Sequence, residues 1–385
     1  EPRSLDREGV IAARRAAVSV AAASLVLAMA LALLVEDGGA RPIPRAPASF
    51  FGIVPQSALT PRDLDYMRAG RIGAVRVPIS WAEVQPTPRG PLDWETVDRV
   101  VEQVSLGGLE VLPFICSTPP WLANPKTLPV NNARQRAAWT AFIDATVRRY
   151  GPGGEFWTEH ATEGVDYEPA IPLPKPVRAW QIWNEANFFY FAYPVDPKKY
   201  AKLIRISSRA IKSVQPGAKV ILTGLFGEPT AKGKRGMPAV EYLRQVYRSP
   251  GIKASFDGVA LHPYAVDAES LEEMVEGIHE VTRENRDRPG LYVTEMGWGS
   301  QNNFQEVAFE QGIRGQVRQL RASYRFMLEN RRRLNLKQAY WFSWKDATGY
   351  CNFCDSVGFF RASAAFRPKP AWHAFVAITG GRARP

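Results

Sequence analysis

Histidine and cysteine are scarce in this chain of 385 residues, which has four His (His160, His262, His279, His373) and three Cys (Cys116, Cys351, Cys354). No two His are neighbours and no zinc-ligand spacing occurs, which argues against a metal centre of the His-rich or Cys-rich kind. Neither a G-x-x-x-x-G-K-[ST] run nor a G-x-G-x-x-G run is present, so nucleotide chemistry has no support. No metal and no cofactor is expected. Acidic residues are in deficit, with 38 Asp and Glu against 49 Lys and Arg, for a net charge of +11. Little of that excess falls in residues 1–50. A basic surface attracts acidic glycans, nucleic acid or anionic lipid. The plainer reading is a solvated basic face, and no nucleic-acid partner is expected.

Long apolar runs are also lacking, with one exception. Residues 16–35 form 20 uncharged positions, preceded by Arg14 and Arg15 and followed by Glu36 and Asp37. That length suits a membrane-spanning helix. The flanking charges place residues 1–15 in the cytoplasm and export the rest. The segment reads either as an uncleaved anchor or as a signal sequence cut near Ala40. Residues 36–49 are rich in Pro, Gly and Ala, as a linker is. The expectation is an extracytoplasmic protein, anchored or secreted, with one catalytic domain over residues 50–380.

From Phe50 onward, short apolar runs alternate with helical patterns. The runs cover residues 50–55, 74–79, 110–115, 177–183, 219–225, 258–264, 291–296 and 338–344. The helical patterns cover 60–69, 93–106, 132–149, 197–214, 238–248, 269–285, 305–330 and 369–378. Alternation of this kind implies parallel strands joined by helical crossovers. Eight units predict an α/β fold, a single (β/α)8 barrel. A doubly wound open sheet is the weaker alternative, because no glycine-rich first turn is visible.

Chemistry in such barrels sits at the C-terminal ends of the strands. Those ends carry Arg76 and Trp81, then Trp121, then Asn184 and Glu185. His262 and Tyr264 follow, then Glu295 and Trp298, and finally Trp341 and Trp344. Cleavage of a glycosidic bond needs one protonated and one ionised carboxyl group. Glu185 closes the fourth run and Glu295 the seventh, and barrel closure sets these across one mouth.

The segment WQIWNEANFF (180–189) resembles the acid/base segment of clan A glycoside hydrolases. YVTEMGWGS (292–300) resembles their nucleophile segment. VRVPISW (75–81), STPPWL (117–122), HPY (262–264) and YWFSW (340–344) resemble further barrel elements, and residues 358–375 resemble the last turn and helix. The nearest resemblance, over roughly residues 50–380, is to glycoside hydrolase family 39 and related bacterial exopolysaccharide hydrolases. It implies a retaining β-glycosidase acting on β-linked oligo- or polysaccharides, with Glu185 as acid/base and Glu295 as nucleophile. Arg76 and Tyr264 would hold Glu295, and Asn184 would bond the sugar 2-hydroxyl. His262 would be a positioning residue. Trp341 or Trp344 would form the floor under the reacting sugar, with Trp81, Trp121, Trp183, Phe188, Phe189 and Trp298 as subsite platforms. A non-catalytic carbohydrate-binding barrel and a transglycosylase are the alternatives. Cys351 and Cys354 are expected to form a small disulfide, because an exported loop is oxidised. Cys116 is expected to be a buried free thiol.

Overall fold

Eight parallel strands close into one ring in the order β1 to β8, with β8 pairing back onto β1. The computed structural model describes residues 43–159, 174–303, 307–349, 351, 353–363 and 366–385. Among these, no helix is long and apolar enough to cross a membrane; the apolar run 16–35 lies outside the described residues. The strands are β1 Phe51–Val54, β2 Ala74–Ser80, β3 Glu110–Cys116, β4 Ala179–Ile182, β5 Lys219–Phe226, β6 Gly258–His262, β7 Gly290–Met296 and β8 Leu336–Phe342. All eight coincide with the apolar runs, so the barrel expected from the alternation is present.

The helices are α1 Pro61–Ala69, α2 Trp81–Val84, α3 Glu95–Leu106, α4 Ala133–Tyr150, α5 Glu155–Glu159, α6 Pro197–Val214, α7 Ala239–Tyr247, α8 Ala268–Glu284, α9 Gly312–Asn330 and α10 Pro370–Thr379. Local signals set their starts. Thr60 and Asp63 make a reciprocal capping box before α1, and Pro61 supplies a preset φ at its first position. Asp196 accepts from the backbone N–H of Lys198 and Lys199 at the start of α6. Asn132 and Asp267 cap α4 and α8 in the same way. The helix expected over 305–330 begins only at Gly312, whose φ of +67° suits glycine and breaks the run. The short α2 and α5 were not anticipated, being too brief to show a period.

Inside the ring, large side chains face small ones. An added Cβ at Gly52 would strike the Tyr340 ring, and one at Gly258 would lie 2.6 Å from Tyr292. Gly52 and Tyr340 are cross-strand partners on the seam that closes the barrel. Outside the ring, Trp139, Trp180, Trp341 and Trp372 are fully buried. Burying one aromatic side chain of this kind stabilises the fold by about 3 kcal/mol.

Candidate active site

Two carboxylates meet at the mouth of the barrel. Glu185 follows the end of β4 and is 6% exposed; Glu295 lies in β7 and is 9% exposed. Glu185, His262 and Glu295 each present an atom that lies within 4.8 Å of the others. His262 Nδ1 is 2.8 Å from Glu185 Oε1 and 3.6 Å from Glu295 Oε2.

The two carboxyl groups have opposite surroundings. Arg76, fully buried in β2, donates to Glu295 Oε1 at 2.5 Å, and Tyr264 Oη–H donates to Glu295 Oε2 at 2.8 Å. Arg76 also donates from Nη2 to Asn184 Oδ1 and from Nε to Gln181 Oε1, each at 2.7 Å. Its guanidinium lies 4.0 Å from the centre of the Phe114 ring. All of this gives Glu295 a charged partner on one oxygen and a hydrogen-bond donor on the other. Among the described residues, no Lys or Arg pairs with Glu185. Burial first, then the negative Glu295, push its carboxyl well above the ordinary range, against a smaller opposing pull from Arg76. Burial, then the Arg76 charge, hold His262 well below its ordinary value, so the imidazole is neutral. Burial and Glu295 raise Tyr264, which keeps its proton and remains a donor. By ligand type the Glu185–His262–Glu295 set suits a divalent cation. Such a cation would sit beside the buried Arg76 guanidinium that already neutralises Glu295, so the arrangement fits proton transfer better than metal binding.

The backbone around Glu185 is strained. Trp183 has φ +73° and Glu185 φ +39°, a region that side chains other than glycine rarely enter. The turn is held from below. Glu185 N–H donates to the Gly224 carbonyl at 3.2 Å, and Ala186 N–H to Thr223 Oγ1. The buried Asn187 bonds Phe226 N–H, Phe226 O and Met237 O. Gly224 also makes room for His262: an added Cβ there would lie 2.0 Å from Nε2.

Of the residues expected at the site, the structure brings together Arg76, Asn184, Glu185, His262, Tyr264 and Glu295. It places the tryptophans elsewhere. Trp341 is fully buried on the outside of β8, stacked on Phe359 at 5.2 Å, with Nε1–H donating to Val357 O. Trp344 is 1% exposed; its Nε1–H donates to Asp63 Oδ1 and its ring packs on Phe360 and Trp372. Neither forms a floor. Alternation along β8 turns Tyr340 and Phe342 inward and Trp341 outward. Phe342 is the β8 aromatic facing the site, 6.0 Å from Tyr264 and 6.2 Å from Phe353. Trp81, Trp183 and Trp298 are buried too, their indole N–H groups donating to Gln85, to Phe191 O and to Ala265 O. Trp121 is half-buried and donates to Gln85 O. It lines a separate cleft of about 420 Å³ with Pro88, Arg89 and Arg134. Phe188 and Phe189 are both partly exposed, and Phe188 stacks on Phe226, which lies 6.0 Å from Tyr264. The reading of the sequence missed Gln181, Gly224, Phe226 and Phe342. Cys351 and Cys354 form a disulfide, and Cys116 is a buried free thiol whose pKa burial pushes up to about 11.

No family model matches the sequence, and no curated protein matches it. Solved structures share the barrel. A family 39 glycoside hydrolase from Bacteroides cellulosilyticus WH2 superposes with a TM-score of 0.60 at 17% identity, over 87% of this chain and 65% of that one. A monomeric β-xylosidase from Caulobacter crescentus CB15 gives 0.58 at 16%, over 87% and 68%. An exo-β-1,4-mannosidase from Opitutaceae bacterium strain TAV5 gives 0.56 at 16%, over 89% and 60%. This chain therefore spans about two thirds of their length, and what it shares with them at these identities is the fold.

Proposed function

We propose that the chain is a retaining hydrolase of β-linked glycans, with Glu295 as nucleophile and Glu185 as acid and then base. The observation that carries this reading is the pair itself. Two buried carboxyl groups within 4.8 Å, one paired with a cation and one pushed toward its neutral form, match the needs of double displacement. The similar solved enzymes act on glycosides, which supports the same class.

In the first step a Glu295 oxygen attacks the anomeric carbon as the glycosidic C–O bond breaks. Glu185 gives its proton to the departing oxygen. Glu295 is then an ester and has lost its charge, which removes the neighbour that raised Glu185. Glu185, now ionised, takes a proton from water as the water oxygen attacks the same carbon, and the ester bond breaks. Two inversions give net retention. Asn184, held by Arg76, faces the reacting sugar's hydroxyl groups, and neutral His262 aims Glu185. The disulfide between Cys351 and Cys354 supports an oxidising, extracytoplasmic location. Membrane attachment through residues 16–35 belongs to the same proposal.

Hydrolysis of aryl β-glycosides by Glu185→Gln and Glu295→Gln tests it. Both variants should lose at least about a hundredfold in kcat. The Glu185 variant should lose least on a 2,4-dinitrophenyl glycoside, which needs no proton to depart. Proton NMR should show the β anomer formed first. An α anomer formed first would refute the retaining mechanism, and full activity in either variant would refute the pair.

A further inference from the structure

A file of aromatic rings leads away from the carboxylate pair. Tyr264, bonded to Glu295, lies 6.0 Å from Phe226, and Phe226 stacks on Phe188 at 4.9 Å. Phe188 meets Tyr190 at 4.9 Å, and Phe189 stacks on Tyr190 at 4.4 Å. The file ends beneath two cations. The Arg235 guanidinium is 3.9 Å from the Phe189 ring centre, and Lys126 Nζ is 5.8 Å from that of Tyr190.

This rim is open. Tyr190, Phe191 and Tyr193 are 57%, 40% and 51% exposed, three of the five large hydrophobic side chains most open to solvent among the described residues. It is also held in place. Phe189 N–H donates to Arg235 O, Val195 N–H to Lys234 O and Tyr193 N–H to Lys126 O. Lys232 and Lys234 stand exposed on the same loop as Arg235, whose one acid is Glu228. Among the described residues, none of these four cations forms an ion pair.

Exposed rings alone would suit any sugar, since they stack on C–H faces. Exposed cations alone would suit any anion. The two are interleaved here and joined to the carboxylate pair through Phe188, Phe226 and Tyr264. We propose that this rim is a subsite for an acidic glycan. A sugar ring lies on the exposed Tyr190, which Phe189 backs from its other face, and uronate carboxylates pair with Lys126 and Arg235. The proposal rests on the glycan-cleaving reading above.

Titration calorimetry on the full chain carrying Glu185→Gln tests it without needing turnover. The probes are β-1,4-linked mannuronate and β-1,4-linked glucuronate hexasaccharides, beside their neutral mannose and glucose counterparts. At least one acidic probe should bind more tightly than its neutral partner. Lys126→Glu with Arg235→Glu should weaken that binding by about tenfold, given that each exposed ion pair contributes up to a few-fold. The neutral probes should change less than about twofold. Both side chains are exposed, so the variant should melt with the parent; Lys126→Gln with Arg235→Gln should give an intermediate loss. A second cluster makes the control. Lys202 and Arg209 line a basic cleft of about 690 Å³ beside α6 that contains neither catalytic carboxylate. Lys202→Glu with Arg209→Glu makes the same change in net charge and should leave acidic-glycan binding within about twofold. Equal losses from both pairs would reduce the effect to overall charge and overturn the proposal. So would acidic and neutral probes binding alike, or binding to phosphatidylglycerol vesicles that the rim variant abolishes without any preference for uronides. If the glycosidase reading failed instead, the two Gln variants would keep the parent's activity while the binding difference could still be measured.

Discussion

Replacing Arg76 by Met removes the charge on which the site's geometry converges. Arg76 is fully buried and bonds Glu295, Asn184 and Gln181 at 2.5–2.7 Å. Breaking a buried ion pair from one side costs about 3–5 kcal/mol, because the remaining charge is left without a partner. Unfolding a barrel of this size releases roughly 0.7 kcal/mol per kelvin of entropy, so about 4 kcal/mol lowers Tm by roughly 6 °C. Glu295→Gln should be costly for the mirror-image reason, leaving the guanidinium buried and unpaired. The double variant, Met beside Gln, buries no lone charge. It should be destabilised by about 2–4 kcal/mol less than the sum of the single changes. Urea unfolding of the four proteins at one pH provides the cycle. Additivity within about 0.5 kcal/mol would refute the claim that the pair is one electrostatic unit. Arg76→Lys adds a geometric arm. It keeps the charge but loses the planar fork that serves three acceptors. Its kcat/KM should fall by at least about tenfold even where stability is mostly retained.

Glu185 carries a pH signature. Its folded pKa lies above the ordinary value, so its stabilising contribution is complete below about pH 4.5 and is lost as pH rises toward the folded value. Glu185→Gln, permanently neutral, should therefore gain Tm relative to the parent at pH 8 and lose that advantage toward pH 4.5. A difference independent of pH would refute the assignment. The basic limb of the parent's kcat/KM profile should lie above the usual carboxylate range, and carbon NMR of the Glu185 carboxyl should show it titrating lower in Glu295→Gln. Gly224→Ala should displace His262, costing about 1–3 kcal/mol of stability and at least tenfold in kcat. Gly217→Ala, where nothing lies within 4 Å, is the matched control. Reduction of Cys351–Cys354 should cost about 2 kcal/mol through loop-closure entropy, seen as a lower Tm with dithiothreitol. An unchanged Tm would mean that the disulfide does not restrain the unfolded chain.

The barrel was legible because β-branched and aromatic runs of four to eight residues alternate with capped helices, and both signals are local. Glu185 and Glu295 were legible as acids at strand ends, which few strands tolerate without a purpose. Gln181 was not, being a neutral residue in an apolar run whose role appears only when Arg76 arrives from β2. The strain at Trp183 and Glu185 left no mark either, since neither is glycine. The tryptophans misled for a physical reason. A Trp at a strand end looks like a sugar platform, but strands alternate, and position decides more than residue type. Phe342 shares its face with Tyr340, the partner of Gly52, whereas Trp341 lies between them on the outward face, against Phe359 and Trp298. Parity along β8 was the available signal.

The origin of the six side chains that meet at the mouth has one more consequence. Arg76, Asn184 and Glu185 come from the first four strands, and His262, Tyr264 and Glu295 from the last four. On the proposed assignment the acid is on one half of the chain and the nucleophile on the other, and both seams of the ring must close before they meet. Competence is thus a logical conjunction: neither half has any of the chemistry, and a chain caught partway through folding has none. Turnover, once measurable, would double as a sensor of ring closure.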